Sequence, residues 1–151
     1  LTAYFSDYTA ENYESFAERG LEIEFQPVDE AALVKLDRLQ FQRVVENLLE
    51  NSLKYRSMEK VHAGIALIRE GNNWKLSFDD DGRGVAAEEL PKLFESFYRT
   101  DRARTDVAKG SGLGLAIVKQ IITGMRGEIW AEKAGTGGLK ICMEFPAAEE
   151  N

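Results

Sequence analysis

In the stretch DRLQFQRVVENLLENSLKYR (37–56), Asn47 and Asn51 stand one helical turn apart, with Lys54 and Tyr55 a further turn along. Two amides, an ammonium and a phenol therefore share one helix face, a set that suits a metal-bound nucleotide. At about 3.6 residues per turn, Phe41, Val45, Leu48, Leu49 and Ser52 form an apolar stripe that the polar group flanks, so the amides are expected to line a cleft beside the core. A polar helix edge with two solvated asparagines is the plainer alternative.

A second segment, Asp79-Asp80-Asp81-Gly82-Arg83-Gly84-Val85, leaves a strand and enters a glycine turn. A carboxylate at a strand end can accept a hydrogen bond from the exocyclic amine of adenine, and glycines let a ring approach the backbone. Two alternatives stand beside this. One is an acidic turn without special chemistry. The other is a calcium loop, since Ser77, Asp79, Asp81, Gly82 and Glu88 occupy positions 1, 3, 5, 6 and 12 of the EF-hand spacing. Against the calcium loop, position 1 lacks its aspartate, Gly84 stands where an apolar residue is expected, and the preceding segment has the pattern of a strand.

The third segment, Gly110-Ser111-Gly112-Leu113-Gly114-Leu115, opens a helical pattern. Free N–H groups at a helix start, with no side-chain bulk in front of them, suit a polyphosphate. The run is neither a dinucleotide fingerprint, whose third glycine would fall on Leu115, nor a Walker loop, since no GK[ST] follows. Nothing matches the HRD or VAIK signatures of eukaryotic-type kinases. Just upstream, RTDRARTDVAK (99–109) carries four basic residues against two aspartates. A solvated loop is the ordinary meaning of such a run, but its position beside the glycines favours phosphate contact.

The elements that must hold these segments can be traced by period. A helix is expected over residues 7–19, ending at Gly20. LEIEF (21–25) alternates as a strand, and VDEAALVKLD (28–37) continues as a turn and a short second strand before the asparagine helix starts near Asp37. HAGIALIRE and NWKLSFDD form a hairpin about Gly71-Asn72, and a short helix is expected from Glu88 to Tyr98 with Pro91 near its start. LGLAIVKQIIT (113–123) is helical in period, and EIWAEKA and LKICMEF surround the turn GTGG before Pro146. Helices gathered on one mixed, mostly antiparallel sheet make an α+β two-layer sandwich with about three helices.

The chain has 151 residues and 44% apolar content, enough for one packed core. It is expected to divide into a linker and first helix (1–20) and one globular unit (21–151). Beginning at Leu1 rather than Met, it has the look of a piece of a longer polypeptide. One cysteine, Cys142, excludes an internal disulfide, and one histidine, His62, excludes the usual Cys/His zinc sites. A net charge of −7 argues against a nucleic-acid partner. Neither a membrane-length apolar run nor a secretion signal is present, so a cytoplasmic piece without membrane contact is expected.

NLLENSLKY (47–55), DDGRGV (80–85), LFESFYR (93–99) and GSGLGLAIVK (110–119) resemble, in order and spacing, the N, G1, F and G2 boxes of sensor histidine kinases. The resemblance covers about residues 21–146. It implies the α/β sandwich shared by histidine kinases, DNA gyrase, a heat-shock chaperone and the mismatch-repair ATPases. By position it implies that Asn51 holds Mg²⁺, Asn47 sits near the phosphates of ATP, Lys54 contacts them and Tyr55 stacks on adenine, with Asn47, Asn51 and Lys54 the catalytic set. Asp80 would read the adenine amine, and Gly82 and Gly84 would floor the base pocket. Phe94, Phe97 and Tyr98 would anchor a lid over residues 99–110, hinged by Gly110, Gly112 and Gly114. Val85, Arg99, Ser111, Leu113 and Leu115 complete the implied ATP-binding set.

Two positions depart from the family pattern. Asp81 replaces a usual asparagine, and Leu139 stands where a small hydroxyl residue is frequent. His62 is followed by Ala63 and lies in an expected strand, so the phosphoacceptor histidine is not in this chain. The implied activity is transfer of the ATP γ-phosphoryl group to a histidine on a separate dimerisation hairpin, with a response regulator downstream. This piece would be monomeric, its parent a homodimer that an inner membrane could anchor. Three other readings remain at this point: an ATP-sensing module without transfer, a serine kinase acting on a protein partner as anti-sigma factors do, and the calcium module.

Overall fold

A computed structural model describes residues 1–26, 32, 34–54, 59–95 and 114–148. Tyr55, Phe97, Tyr98, Arg99, Gly110, Ser111, Gly112 and Leu113, and with them the expected lid over 99–110, lie outside the described residues. Helix α1 (Thr2–Glu18) leads into strand β1 (Leu21–Gln26), then helix α2 (Arg38–Lys54) and the hairpin β2 (Val61–Glu70) and β3 (Asn73–Asp80). A 3-10 helix (Ala87–Lys92), helix α3 (Gly114–Gly124) and a second hairpin, β4 (Glu128–Lys133) and β5 (Leu139–Pro146), complete the described chain.

The five strands form one sheet in the order β1-β2-β3-β5-β4. β1 runs parallel to β2 and every other pair is antiparallel. Parallel pairing needs a crossover, and α2 lies within it. Alternation along each strand sends one set of side chains toward the helices. Leu21 and Ile23, Ala63 and Ile65, Leu76 and Phe78, and Met143 and Phe145 are buried in one core with Phe5, Phe41, Leu49 and Ile122 of the helices. This is the expected α+β sandwich. Gly71, the first of two residues between β2 and β3, has φ +60°, the conformation that a tight hairpin asks of glycine at that place.

Three boundaries differ from the sequence expectation. α1 starts at Thr2, five residues early, because Phe5 is fully buried and meets the rings of Phe41 and Phe78, each at 5.8 Å in edge-on geometry. Aromatic packing, invisible to local periodicity, fixes that first turn. Residues 34–37 form no strand; instead Asp37 caps α2, its carboxylate accepting the N–H of Leu39 at 3.0 Å and of Gln40 at 3.3 Å. The helix expected from Glu88 to Tyr98 is a 3-10 helix ending at Lys92. Pro91 supplies no N–H and turns Leu90 away from α geometry, so the segment closes through i→i+3 bonds such as Leu93 N–H to Leu90 O.

α3 ends where Arg126 takes φ +64° and Gly127 donates to the carbonyl of Ile122 at 2.9 Å. A Cβ on Gly127 would sit 2.9 Å from the Phe145 ring, so this stop is set by packing as well as by turn geometry. If α1 is part of the core, Phe5→Ala will lower the unfolding free energy by about 3–5 kcal/mol, the usual cost of truncating a buried aromatic. Urea denaturation checks this; a change below about 0.5 kcal/mol would mean that residues 2–6 do not contribute to folding.

Candidate functional site

Period 2 along β3 buries Trp74, Leu76 and Phe78, and the next residue in that row is Asp80. The sheet therefore carries a carboxylate to the end of its covered face, directly opposite α2. Ser52 of α2, which the sequence places in the apolar stripe, is the buried polar residue it meets: its hydroxyl donates to Asp80 Oδ2 at 3.0 Å. Oδ1 accepts the N–H of Gly82 at 3.0 Å and that of Leu139 at 3.2 Å. Burial pushes the Asp80 pKa up from the ordinary carboxylate range, and the neighbouring Asp81 charge adds to it. The hydrogen bonds from Leu139, Gly82 and Ser52 oppose that rise without cancelling it.

The turn between β4 and β5 closes over this carboxylate. A Cβ on Gly138 would overlap the Asp80 main chain, and one on Gly84, whose φ is +68°, would overlap the Gly137 carbonyl. Thr136 donates its hydroxyl to the Asp80 carbonyl at 2.9 Å. The two glycine turns are thus interlocked, and only hydrogen atoms fit at the contact. Gly82 acts through its N–H, and Val85 packs its side chain partly into the core.

Both departures acquire a physical meaning. Asp81 extends the β2–β3 ladder, its carboxylate accepting the His62 N–H at 2.8 Å and its own N–H reaching the His62 carbonyl at 3.3 Å. Leu139 reaches Asp80 with its main chain, a donation that needs no hydroxyl on the side chain. His62 lies in β2, exposed and 3.1 Å from Glu22. The calcium loop fails, because Ser77 and Asp79 belong to β3 rather than to the end of a helix.

On α2, Asn47, Asn51 and Lys54 are half-buried beside the fully buried row, as the wheel expects. Asn47 donates to the carbonyl of Arg43 at 2.9 Å, which fixes its amide and leaves Oδ1 pointing toward α3, 3.3 Å from where a Cβ on Gly114 would lie. The glycine-run helix and the asparagine helix therefore touch at Asn47. Arg83 of the glycine turn donates to the Lys54 carbonyl at 3.1 Å, tying that turn to the last turn of α2, where a cation also suits the helix dipole. Leu115 is partly buried, and Phe94 is buried with Leu93 after the 3-10 helix.

The structure thus brings together Asp80, Gly82, Gly84 and Val85 at one end of α2, and Asn47 and Gly114 farther along it. Ser52, Leu139, Thr136, Gly138 and Arg83 were not assigned to the site from sequence. One signal for Ser52 was present, since a hydroxyl in an otherwise apolar row needs a buried partner.

The model of the family described as histidine kinase-, DNA gyrase B-, and HSP90-like ATPase matches residues 36–149. The chain is 40% identical over 136 residues to the signal transduction histidine-protein kinase BaeS of Escherichia coli strain K12, covering 88% of this chain and 28% of that protein. It is 32% identical over 148 residues to the sensor histidine kinase WalK of Bacillus subtilis strain 168, covering 97% of this chain and 24% of WalK. The chain thus spans about a quarter of the length of these relatives. Among solved structures it resembles the mycobacterial sensor histidine kinase MprB, with a TM-score of 0.76 at 27% identity over 95% of this chain and 94% of that one. The catalytic domain of histidine kinase ThkA shares the fold, with a TM-score of 0.78 at 24% identity over 97% of this chain and 92% of that one. Among the described residues no helix is long and apolar enough to cross a membrane.

Because Asp80 protonates more readily folded than unfolded, its contribution to native stability is greatest below the ordinary aspartate pKa of 3.8 and is lost as pH rises through the window up to its raised folded value. Asp80→Asn keeps an oxygen for the two N–H donors and removes the buried charge. Urea midpoints measured from pH 3.5 to 8 should show the variant gaining on the wild-type protein across that window, and standing above it at pH 7.

Proposed function

The chain belongs to the histidine kinase-, DNA gyrase B- and HSP90-like ATPase family, and on that premise we propose that it is the ATP-binding catalytic domain of a two-component sensor histidine kinase. It would pass the γ-phosphoryl group of ATP to a histidine on a separate dimerisation hairpin. The observation that carries this reading is the half-buried Asp80 carboxylate, held by two N–H groups and a hydroxyl against the same helix that presents Asn47, Asn51 and Lys54. The carboxylate offers an acceptor for the adenine amine, and the half-buried residues of α2 offer amides and an ammonium to phosphates.

In this mechanism Asp80 selects the base, and Gly82 and Gly84 keep its pocket open. Asn47 and Lys54 orient the phosphates beside the start of α3. Asn51 would hold Mg²⁺, which when bound neutralises charge on the phosphate oxygens. Among the described residues there is no group of three or more His, Cys, Asp or Glu side chains fit to hold a metal. A neutral amide with the nucleotide's own oxygens suits Mg²⁺, an ion that keeps waters and is commonly carried by phosphates. Phosphoryl transfer asks the protein for positioning and charge stabilisation more than for covalent chemistry.

The acceptor is proposed to lie on another part of the parent, since His62, the single histidine, is in β2 beside Glu22. The hairpin would also supply the base that activates the acceptor and the dimer contact, leaving this piece monomeric, and a response regulator would receive the phosphoryl group.

Calorimetric titration with an unhydrolysable ATP analogue and Mg²⁺ tests the binding step. One-to-one binding is expected, weakened at least about tenfold by Asp80→Asn, the scale for a hydrogen bond to a charged group. Absence of binding by the folded wild-type protein would sink the reading. With the hairpin supplied, Asn51→Asp should cut acid-labile phosphohistidine formation by about a hundredfold or more, as loss of a charge-stabilising group does, with unfolding midpoints within about 0.5 kcal/mol of wild type. Wild-type transfer by that variant would remove Asn51 from its role, and an acid-stable product would point to serine instead.

A further inference from the structure

A carboxylate offers about four lone pairs, two on each oxygen. In Asp80, both lone pairs of Oδ1 are taken by the main-chain donors of Gly82 and Leu139, and one lone pair of Oδ2 by the hydroxyl of Ser52. Among the described donors this leaves one acceptor position, on Oδ2. We propose that Ser52 is a positioning residue of the base pocket: its hydroxyl fixes the Asp80 carboxylate so that a single lone pair of Oδ2 faces the ligand and accepts one amine hydrogen.

The assignment rests on the nucleotide reading above for the identity of the amine, and on the hydrogen-bond geometry alone for the hold on Asp80. Ser52 is buried, on the one α2 row that faces the sheet. Its hydroxyl has a second acceptor, the Leu48 carbonyl at 3.4 Å, but the carboxylate at 3.0 Å is nearer and charged and takes the hydrogen. Without that bond, the main-chain donors hold only Oδ1, and the group can rotate about the Cβ–Cγ bond or take up a proton on Oδ2. Either change removes the acceptor. Burial and the like charge of Asp81 both disfavour the ionised form, and the Ser52 hydroxyl is one of the three donors that oppose them. A serine in the interior of a helix ordinarily costs stability against alanine, so helix propensity does not account for this residue.

Two readouts on the same samples test the proposal. In nucleotide-free protein, the Asp80 side-chain carbon is titrated by carbon-detected NMR in wild type, Ser52→Ala and Ser52→Thr. Ser52→Ala should move the Asp80 midpoint to higher pH and Ser52→Thr should restore it; α2 tolerates alanine, so folding is retained. Calorimetry with the ATP analogue should show Ser52→Ala binding about tenfold more weakly at pH 7, the scale for a charge-assisted hydrogen bond, and its loss of affinity on acidification should begin at higher pH. An unmoved Asp80 midpoint in Ser52→Ala would overturn the proposal, as would equal weakening at every pH, which a packing role would give. A wild-type protein that binds no analogue while the Asp80 midpoint still moves would overturn the functional reading alone and leave the hold of Ser52 on Asp80 established.

Discussion

A carboxylate brought to the covered face of a sheet must be given donors, and most of the local architecture around Asp80 follows from that requirement. Water is largely excluded there, so the charge is tolerated only with hydrogen bonds in place. Three come from three different stretches of chain: Gly82 two residues on, Leu139 at the start of β5, and Ser52 on α2. The glycines at 84 and 138 are the steric condition for this convergence, because any Cβ there would collide with the backbone of the facing turn. Asp81 anchors the other side of the same turn to β2. The aspartate triplet thus divides by the alternation of the strand, with Asp79 on the open face, Asp80 on the covered one and Asp81 extending the ladder.

That cost to the unliganded fold has a functional sense. A group whose ionised form is disfavoured by burial and only partly compensated by hydrogen bonds has an unmet demand for one more donor. In the proposed site an incoming amine would meet it and regain part of what burial cost. Sites of this kind are where local rules are broken with a purpose, and here a serine in an apolar helical row and a charge at the end of an apolar strand row are two halves of one exception.

Much of the sheet was legible because its information is local. LEIEF and NWKLSFDD alternate, Gly71 sits where the hairpin turns, and Asp37 is a carboxylate at a helix start. The half-buried placement of Asn47 and Asn51 followed from the wheel alone. What was not legible depended on distant partners. The first turn of α1 is held by Phe41 and Phe78, 36 and 73 residues away in sequence, and no local period announces it. Leu139 acts through its main chain, so its side-chain type misdirected the inference. Pro91 was expected near a helix start, but it stands fifth in the six-residue 3-10 helix, where its missing N–H and its effect on Leu90 favour i→i+3 closure.

α2 is the element that makes one site of two chemistries. Ser52 and Asn47 are five residues apart, which at about 1.5 Å per residue is about 7.5 Å along the axis. They lie on adjoining faces, one turned to the sheet and one to α3. A ligand spanning both must therefore run obliquely across the helix, from the end of β3 toward Gly114. The cap at Asp37 sets where the helix begins, and the Arg83 bond to the Lys54 carbonyl ties its end to the glycine turn that shapes the base pocket. A shift of α2 by one residue would rotate Ser52 by about 100° away from Asp80 and carry Asn47 off Gly114 in the same movement. In the proposed function, base recognition and phosphate positioning would thus be coupled through the register of a single helix, which buried Phe41, Val45 and Leu49 keep.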